Sequence, residues 1–159
     1  MIDKIFVGLS DKDKIRQIIN VHKTLSKKIN EITKEILSQS ENIFSKLNIE
    51  NDAKLIPEDK NNIIALSLDK NKFLAEFTIE KEIKSNKQGS VAGYYINVNF
   101  YQVKSAYFDN TKLDQKYEEI GNCYFDKLGN FYSKLDGSAS FETIFDFFNI
   151  WFEKIIKKI

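Results

Sequence analysis

"FLAEFTIEKEI", residues 73–83, alternates Phe73, Ala75, Phe77 and Ile79 with Leu74, Glu76, Thr78, Glu80 and Glu82. A period of two sends the first set to one face of a strand and the second to the other, so this segment reads as a half-buried strand. One face is core and the other is acidic. "YYINVNFYQVKSAYF", residues 94–108, repeats the pattern. There Tyr94, Ile96, Val98 and Phe100 point one way, while Tyr95, Asn97, Asn99 and Tyr101 point the other. Clean alternation of this kind belongs to an antiparallel sheet with one packed face and one wet face.

Working outward, "NIIALSL" (62–68) is a short strand and "DKNK" (69–72) the turn that follows it. "SNKQGSVAG" (85–93) reads as a loop, residues 109–116 as a polar connection, and residues 48–62, with Pro57, as a polar linker. "YEEIGNCYF" (117–125) and "FYSKL" (131–135) flank "DKLGN", where Gly129 supplies a positive φ. The meander therefore has four to five strands.

Helical periods bracket it. From Ser10, "SDKD" resembles a capping box, with Asp13 in the third position. Ile15, Ile18, His22, Leu25, Ile29, Ile32 and Ile36 then alternate steps of three and four, which is the rhythm of a single continuous seam. After "SQS" (38–40) the pattern resumes at Ile43, Phe44 and Leu47, so a kink or a break is expected there. Unbroken, residues 11–48 make a helix of roughly 55 Å. Such a seam either packs within the molecule, the expectation here, or pairs with a second copy as a homodimer.

The chain ends on "FETIFDFFNIWFEKIIKKI" (141–159), with Ser140 as the cap. Phe141, Ile144, Phe145, Phe148, Trp151, Phe152, Ile155, Ile156 and Ile159 fall in one apolar sector of about 140°. Phe147 sits at its edge, and Ile150 falls among the polar residues, either as an exposed side chain or as part of a contact with another surface. Glu142, Asp146 and Glu153 on the polar face argue against a membrane-surface helix, which wants a mainly basic one. The fold class is α+β: a long N-terminal helix, then the sheet, then a C-terminal helix, both helices on one face of the sheet.

At 159 residues the chain fits a single domain, residues 1–159, with enough length to bury a core unaided. A net charge of +1 gives no global affinity for polyanions. Arg16 is the only arginine, which counts against nucleic acid, because arginine is the usual bidentate reader of phosphate and guanine. Cys123 is the one cysteine, so no disulfide closes within the chain and a reducing, cytoplasmic setting is expected. No segment has the length of an apolar membrane span.

No reaction is visible. Phosphate-loop, dinucleotide-binding and paired-cysteine motifs are missing, and His22, the only histidine, lies in a helical seam far from any nucleophile elbow. No metal or cofactor is expected. Glu80 and Glu82 would stand about 7 Å apart on one strand face, a separation suited to paired acid–base work, but alternating glutamates there are ordinarily solvation. What remains is a surface. Glu76, Thr78, Glu80 and Glu82 beside Tyr95, Asn97, Asn99 and Tyr101 would steer a basic protein and offer it tyrosine rings to bury.

In overall type, a small Lys-, Asn- and Ile-rich chain with "FTIEKEI" and "YYINVNFY" strands beside a "YFDKLGNFYSKL" hairpin resembles bacterial immunity proteins that neutralise toxins, especially those of contact-dependent growth inhibition systems. That resemblance implies non-enzymatic, specific binding to a cognate toxin domain, often a nuclease. Two alternatives stand beside it. One is a small-molecule binder or enzyme on a curved-sheet scaffold, with Tyr94 or His22 lining a pocket under the first helix. The other is a structural protein that self-associates through the Ile15–Ile36 seam.

Overall fold

The computed structural model describes residues 9–58, 62–86, 89–108, 111–126, 129–132, 140–141 and 144–158. Side chains at 9–10, 82–86, 89–92, 105–108, 111–114 and 140–141 lie outside the described set. A helix, α1 (Leu9–Lys46), leads into seven strands: β1 (Ala53–Pro57), β2 (Ile63–Leu68), β3 (Asn71–Asn86), β4 (Gly89–Phe108), β5 (Thr111–Phe125), β6 (Phe131–Tyr132) and β7 (Ser140–Phe141). A second helix, α2 (Ile144–Ile156), follows. The strands form one antiparallel sheet in sequence order, a meander without crossovers. This is the expected α+β arrangement, with more strands than the four to five read from the sequence.

The added strands have local reasons. β1 lies inside the stretch read as a polar linker: "AKLIP" is short and has no fully buried residue, as suits an edge strand, and Pro57, which has no N–H to donate, ends it. The segments read as a loop at 85–93 and a connection at 109–116 are mostly ladder. β3 and β4 stay paired out to Asn86 and Gly89, and β4 and β5 out to Phe108 and Thr111. Polar residues in these arms misled the reading, because strands that run beyond a core need no apolar alternation.

α1 is continuous through "SQS" (38–40). Ser38 donates its hydroxyl to the Glu35 carbonyl at 2.8 Å and Ser40 to that of Leu37 at 2.7 Å, so both serines satisfy themselves within the helix. The helix stops at Asn48, whose φ of 57° takes the left-handed position. The amide of Ile49 reaches the Phe44 carbonyl at 2.9 Å and that of Asn48 reaches Ser45 at 3.1 Å, which is a Schellman closure.

Both helices cover the same sheet face. Leu25, Ile29, Ile32, Ile36, Ile43 and Phe44 of α1 are buried with Phe73, Phe77, Ile96, Val98, Phe100 and Phe125 of the sheet. At the centre Phe147 lies among Phe77, Phe100, Phe125 and Trp151, with ring centroids 5.6 to 6.1 Å away. The N-terminal third of the seam departs from expectation: Ile15 and Ile18 are 47% and 43% exposed, and His22, a seam position read to be covered, is exposed as well. In that stretch His22 meets Tyr94 of β4, with ring centroids 5.3 Å apart, while Ile15, Ile18 and Ile19 stay nearly half exposed.

α2 is turned from its expected aspect by roughly 60° at 100° per residue. Phe147 and Ile150, assigned to the edge and to the polar side, are buried at 0% and 9%, whereas Phe145 and Ile156 of the expected stripe are 40% and 68% exposed. The reason is that α2 has two neighbours. It lays Phe147 and Trp151 on the sheet and Phe148 against Phe44 of α1, with ring centroids 6.2 Å apart. Gly121 permits the close approach, since a Cβ there would lie 2.5 Å from Cδ of Lys154.

Candidate functional site: the uncovered sheet face

The register fixes what stands on the face away from the helices. Glu80 is opposite Tyr95, Thr78 opposite Asn97, Glu76 opposite Asn99 and Leu74 opposite Tyr101. Seven of the eight residues read as a partner surface therefore form one contiguous patch on the two central strands. Glu82 pairs in the ladder with Gly93, and its side chain lies outside the described residues. Asn97 is only 8% exposed, so it fills the patch from within rather than presenting itself.

β5 and β6 extend the patch in a way the sequence reading did not reach. Tyr124 is opposite Asn97, Asn122 opposite Asn99, and Tyr132 opposite Tyr124. A bulge between Phe100 and Tyr101 then brings Glu119, rather than Ile120, beside Tyr101. The bulge hides the pattern: in "YEEIGNCYF" the residues sharing the face are Tyr117 and Glu119, then Asn122 and Tyr124, out of phase by one. Aligning Cys123 and Phe125 as the inward pair would have exposed the slip.

Of the seven tyrosines in the chain, Tyr95, Tyr101, Tyr117, Tyr124 and Tyr132 stand on this side. The Tyr95 and Tyr124 rings meet edge to face at 5.6 Å. Tyr132 donates its hydroxyl to Asp126 at 3.0 Å, and Asp126 also accepts the Asn130 amide at 2.9 Å, so the end of β5 is tied to the start of β6 beneath the ring. That hydrogen bond to a carboxylate is the leading cause of a raised Tyr132 phenol pKa.

Glu76, Glu80 and Glu119 supply the charge. None of them forms an ion pair among the described residues, and no lysine or arginine shares the rows from Leu74–Tyr101 to Glu80–Tyr95. Thr78 donates to Glu80 at 3.1 Å, orienting that carboxylate. Burial, and after it the Glu76 and Glu119 carboxylates, raise the Tyr101 phenol above its usual value, against a hydrogen bond with Asn99 that lowers it. Tyr101 is thus held as a neutral donor in a negative field. At the other end of the face the sign is mixed, where Lys72 meets Glu58 at 2.9 Å beside a hollow of ≈ 280 Å³ lined by Ile63, Leu74, Val103 and Tyr117.

Glu118 and Glu119, adjacent in sequence, part to opposite faces as expected. Glu118 turns toward α2 and takes Lys104 and Lys158, both at 2.6 Å; hydrogen bonds from the two hold its pKa down at about 2. Cys123 is fully buried beneath α2, and burial raises its thiol pKa well above normal, only partly opposed by Lys154. A thiol kept protonated and out of solvent is no nucleophile. His22, exposed on α1, meets Tyr94 of the helical sheet face edge to face, with ring centroids 5.3 Å apart. Among the described residues no group of three His, Cys, Asp or Glu is placed to hold a metal ion, and no helix is long and apolar enough to cross a membrane.

No protein-family model matches the chain, no curated protein matches its sequence, and no solved structure matches its fold.

Proposed function

We propose that the protein is a non-enzymatic binding protein that takes a basic surface of a protein partner on its uncovered sheet face. In its specific form the partner is a cognate bacterial toxin domain, and the protein neutralises it. The observation that carries the reading is the division of the sheet: both helices lie on one face, and the other presents tyrosines interleaved with carboxylates that have no ion-pair partner among the described residues. Tyrosine is enriched at protein interfaces because its ring buries apolar area while its hydroxyl finds a partner. Unpaired glutamates raise the association rate with a basic patch and reject an acidic one. The toxin assignment comes from the overall type of the chain, and the face is consistent with a nuclease whose own nucleic-acid site is basic.

The test is the double substitution Glu80→Ala and Tyr95→Ala. Both residues stand on the far side of the sheet from the core, so thermal unfolding should move little. Affinity for the captured partner, measured by calorimetry with the purified pair, should fall at least about 100-fold, because a central aromatic anchor and a charge are lost together. Unchanged affinity would remove this face from the interaction. For the toxin form, co-expression with the toxin should rescue growth with the wild-type protein and not with the double variant.

A further inference from the structure

A second surface lies on the helical side of the sheet, away from the tyrosine face. Where α1 ends, Leu47 and Ile49 line an open groove with Leu68 at the end of β2 and with Phe152, Ile155 and Ile156 of α2, enclosing ≈ 1020 Å³. Its charged rim is Asp52, Asp69, Glu153 and Lys157, three carboxylates against one ammonium. Lys157 is held by Glu153 at 2.9 Å. The backbone ties the two aspartates together, with the Asp69 amide on the Asp52 carbonyl at 2.7 Å. Ile156, which missed the core and is 68% exposed, forms one wall here beside Ile155 and Phe152.

The other uncovered apolar strip is the start of α1. Ile15, Ile18 and Ile19 are 47%, 43% and 47% exposed. Around them Lys12, Lys14, Arg16 and Lys23 outnumber Asp11 and Asp13, so this end of the helix is apolar and net positive. The groove is apolar and net negative. The two cannot meet within one molecule, because α1 is continuous and Ile18 stands roughly 43 Å from Leu47 along its axis at about 1.5 Å per residue.

We propose that the occupant of the groove is the amino-terminal end of α1 from a second copy of this chain. Two α1 helices set antiparallel place each exposed end over the other molecule's groove, so the contact is made twice about a two-fold axis and the pair is closed. Basic residues of one copy face Asp52 and Asp69 of the other. A single helix end in a groove lies at the low end of specific interfaces, and the doubling makes the pair stable. The arrangement differs from pairing of two seams along their length, because each isoleucine strip meets a groove rather than another isoleucine strip. It leaves the far sheet face free and does not depend on that face binding anything.

Sedimentation equilibrium of the full chain between about 1 and 100 μM tests the proposal. Ile18→Asp and Ile156→Asp change exposed side chains, so each variant should keep the wild-type circular dichroism and melting curve. Wild type should dimerise, and either variant alone should raise the dimer dissociation constant about 100-fold, since each damages both contacts of its own pair. An equimolar mixture of the two variants should associate at least about tenfold more tightly than either alone, because one contact in the mixed pair is intact. A wild-type monomer across the whole range overturns the proposal. So does a dimer that Ile18→Asp abolishes and Ile156→Asp leaves untouched, the outcome expected of seam-to-seam pairing. A mixture no tighter than its components overturns it as well.

Discussion

The two faces of the sheet are built from the same strands and differ in what stands over them. On the helical face, Phe77, Phe100 and Phe125 are at most 1% exposed, and Phe147 and Trp151 of α2 lie against them. On the other face, one residue along each strand, Thr78, Tyr101 and Tyr124 remain half open, and Tyr124 packs on the neighbouring Tyr95 ring rather than under a second layer. The difference teaches that period two assigns residues to faces, while the covering layer decides which face carries the stability. A face held only by cross-strand pairs contributes a few tenths to about 1 kcal/mol per pair, whereas burial under a second layer contributes several times that per aromatic side chain.

The largest break in that comparison is Phe77→Ala against Tyr124→Ala. Removing the Phe77 ring leaves a void beside Phe125 and Phe147 that two layers prevent from collapsing, and should cost about 3–5 kcal/mol in chemical denaturation. Removing Tyr124 leaves a gap open to water and should cost about 1 kcal/mol or less. Equal costs would mean that something covers the tyrosine face.

Cys123 sharpens the same contrast kinetically. It lies beneath α2 opposite Val98, so a thiol reagent reaches it only when the helix layer opens. Its labelling rate should follow the equilibrium for that opening. In Phe77→Ala the rate should rise by about 100- to 4,000-fold, on the scale of about tenfold per 1.4 kcal/mol, and in Tyr124→Ala by less than about tenfold. Rapid labelling of the wild-type protein would show that α2 does not seal this face.

Both face assignments on β3 and β4 were legible in the sequence, because "FLAEFTIEKEI" and "YYINVNFYQ" keep strict alternation through the central strands. Gly129 was legible too, and its φ of 87° is the left-handed one that its turn requires. The aspect of α2 was not. A hydrophobic sector marks which residues avoid water, and two neighbours at different angles, α1 and the sheet, decide which of them succeed. The same limit hid the exposed start of α1, where the three-four rhythm of Ile15 and Ile18 is identical to that of Ile29 and Ile32 and only the latter lie beneath the sheet. Glu119 and Tyr124 escaped because a bulge puts the two ends of β5 out of phase by one residue, and Tyr132 because its place beside Tyr124 is set by the pairing of β6 rather than by either strand alone.

The smallest expected effect separates two neighbouring glutamates across the two faces. Glu118 is clamped by Lys104 and Lys158, and its pKa in the folded protein, about 2, lies below the ordinary 4.5. A carboxyl whose folded pKa is depressed binds fewer protons in the folded state than in the unfolded one. Its contribution to stability is therefore complete above about pH 4.5 and lost as pH falls toward about 2. Glu118→Gln should be slightly less stable than wild type at neutral pH and should lose less on acidification through that window, so the two stability curves converge at its acid end. Glu119→Gln, on the other face and without a lysine partner among the described residues, is the comparison at neutral pH, where it should leave stability within about 0.5 kcal/mol of wild type. Because the clamp joins α2 to β4 and β5 at the surface, high salt should shrink the difference between Glu118→Gln and wild type. A Glu118→Gln curve parallel to wild type through the acid window would show that the two lysines do not hold this carboxylate in solution.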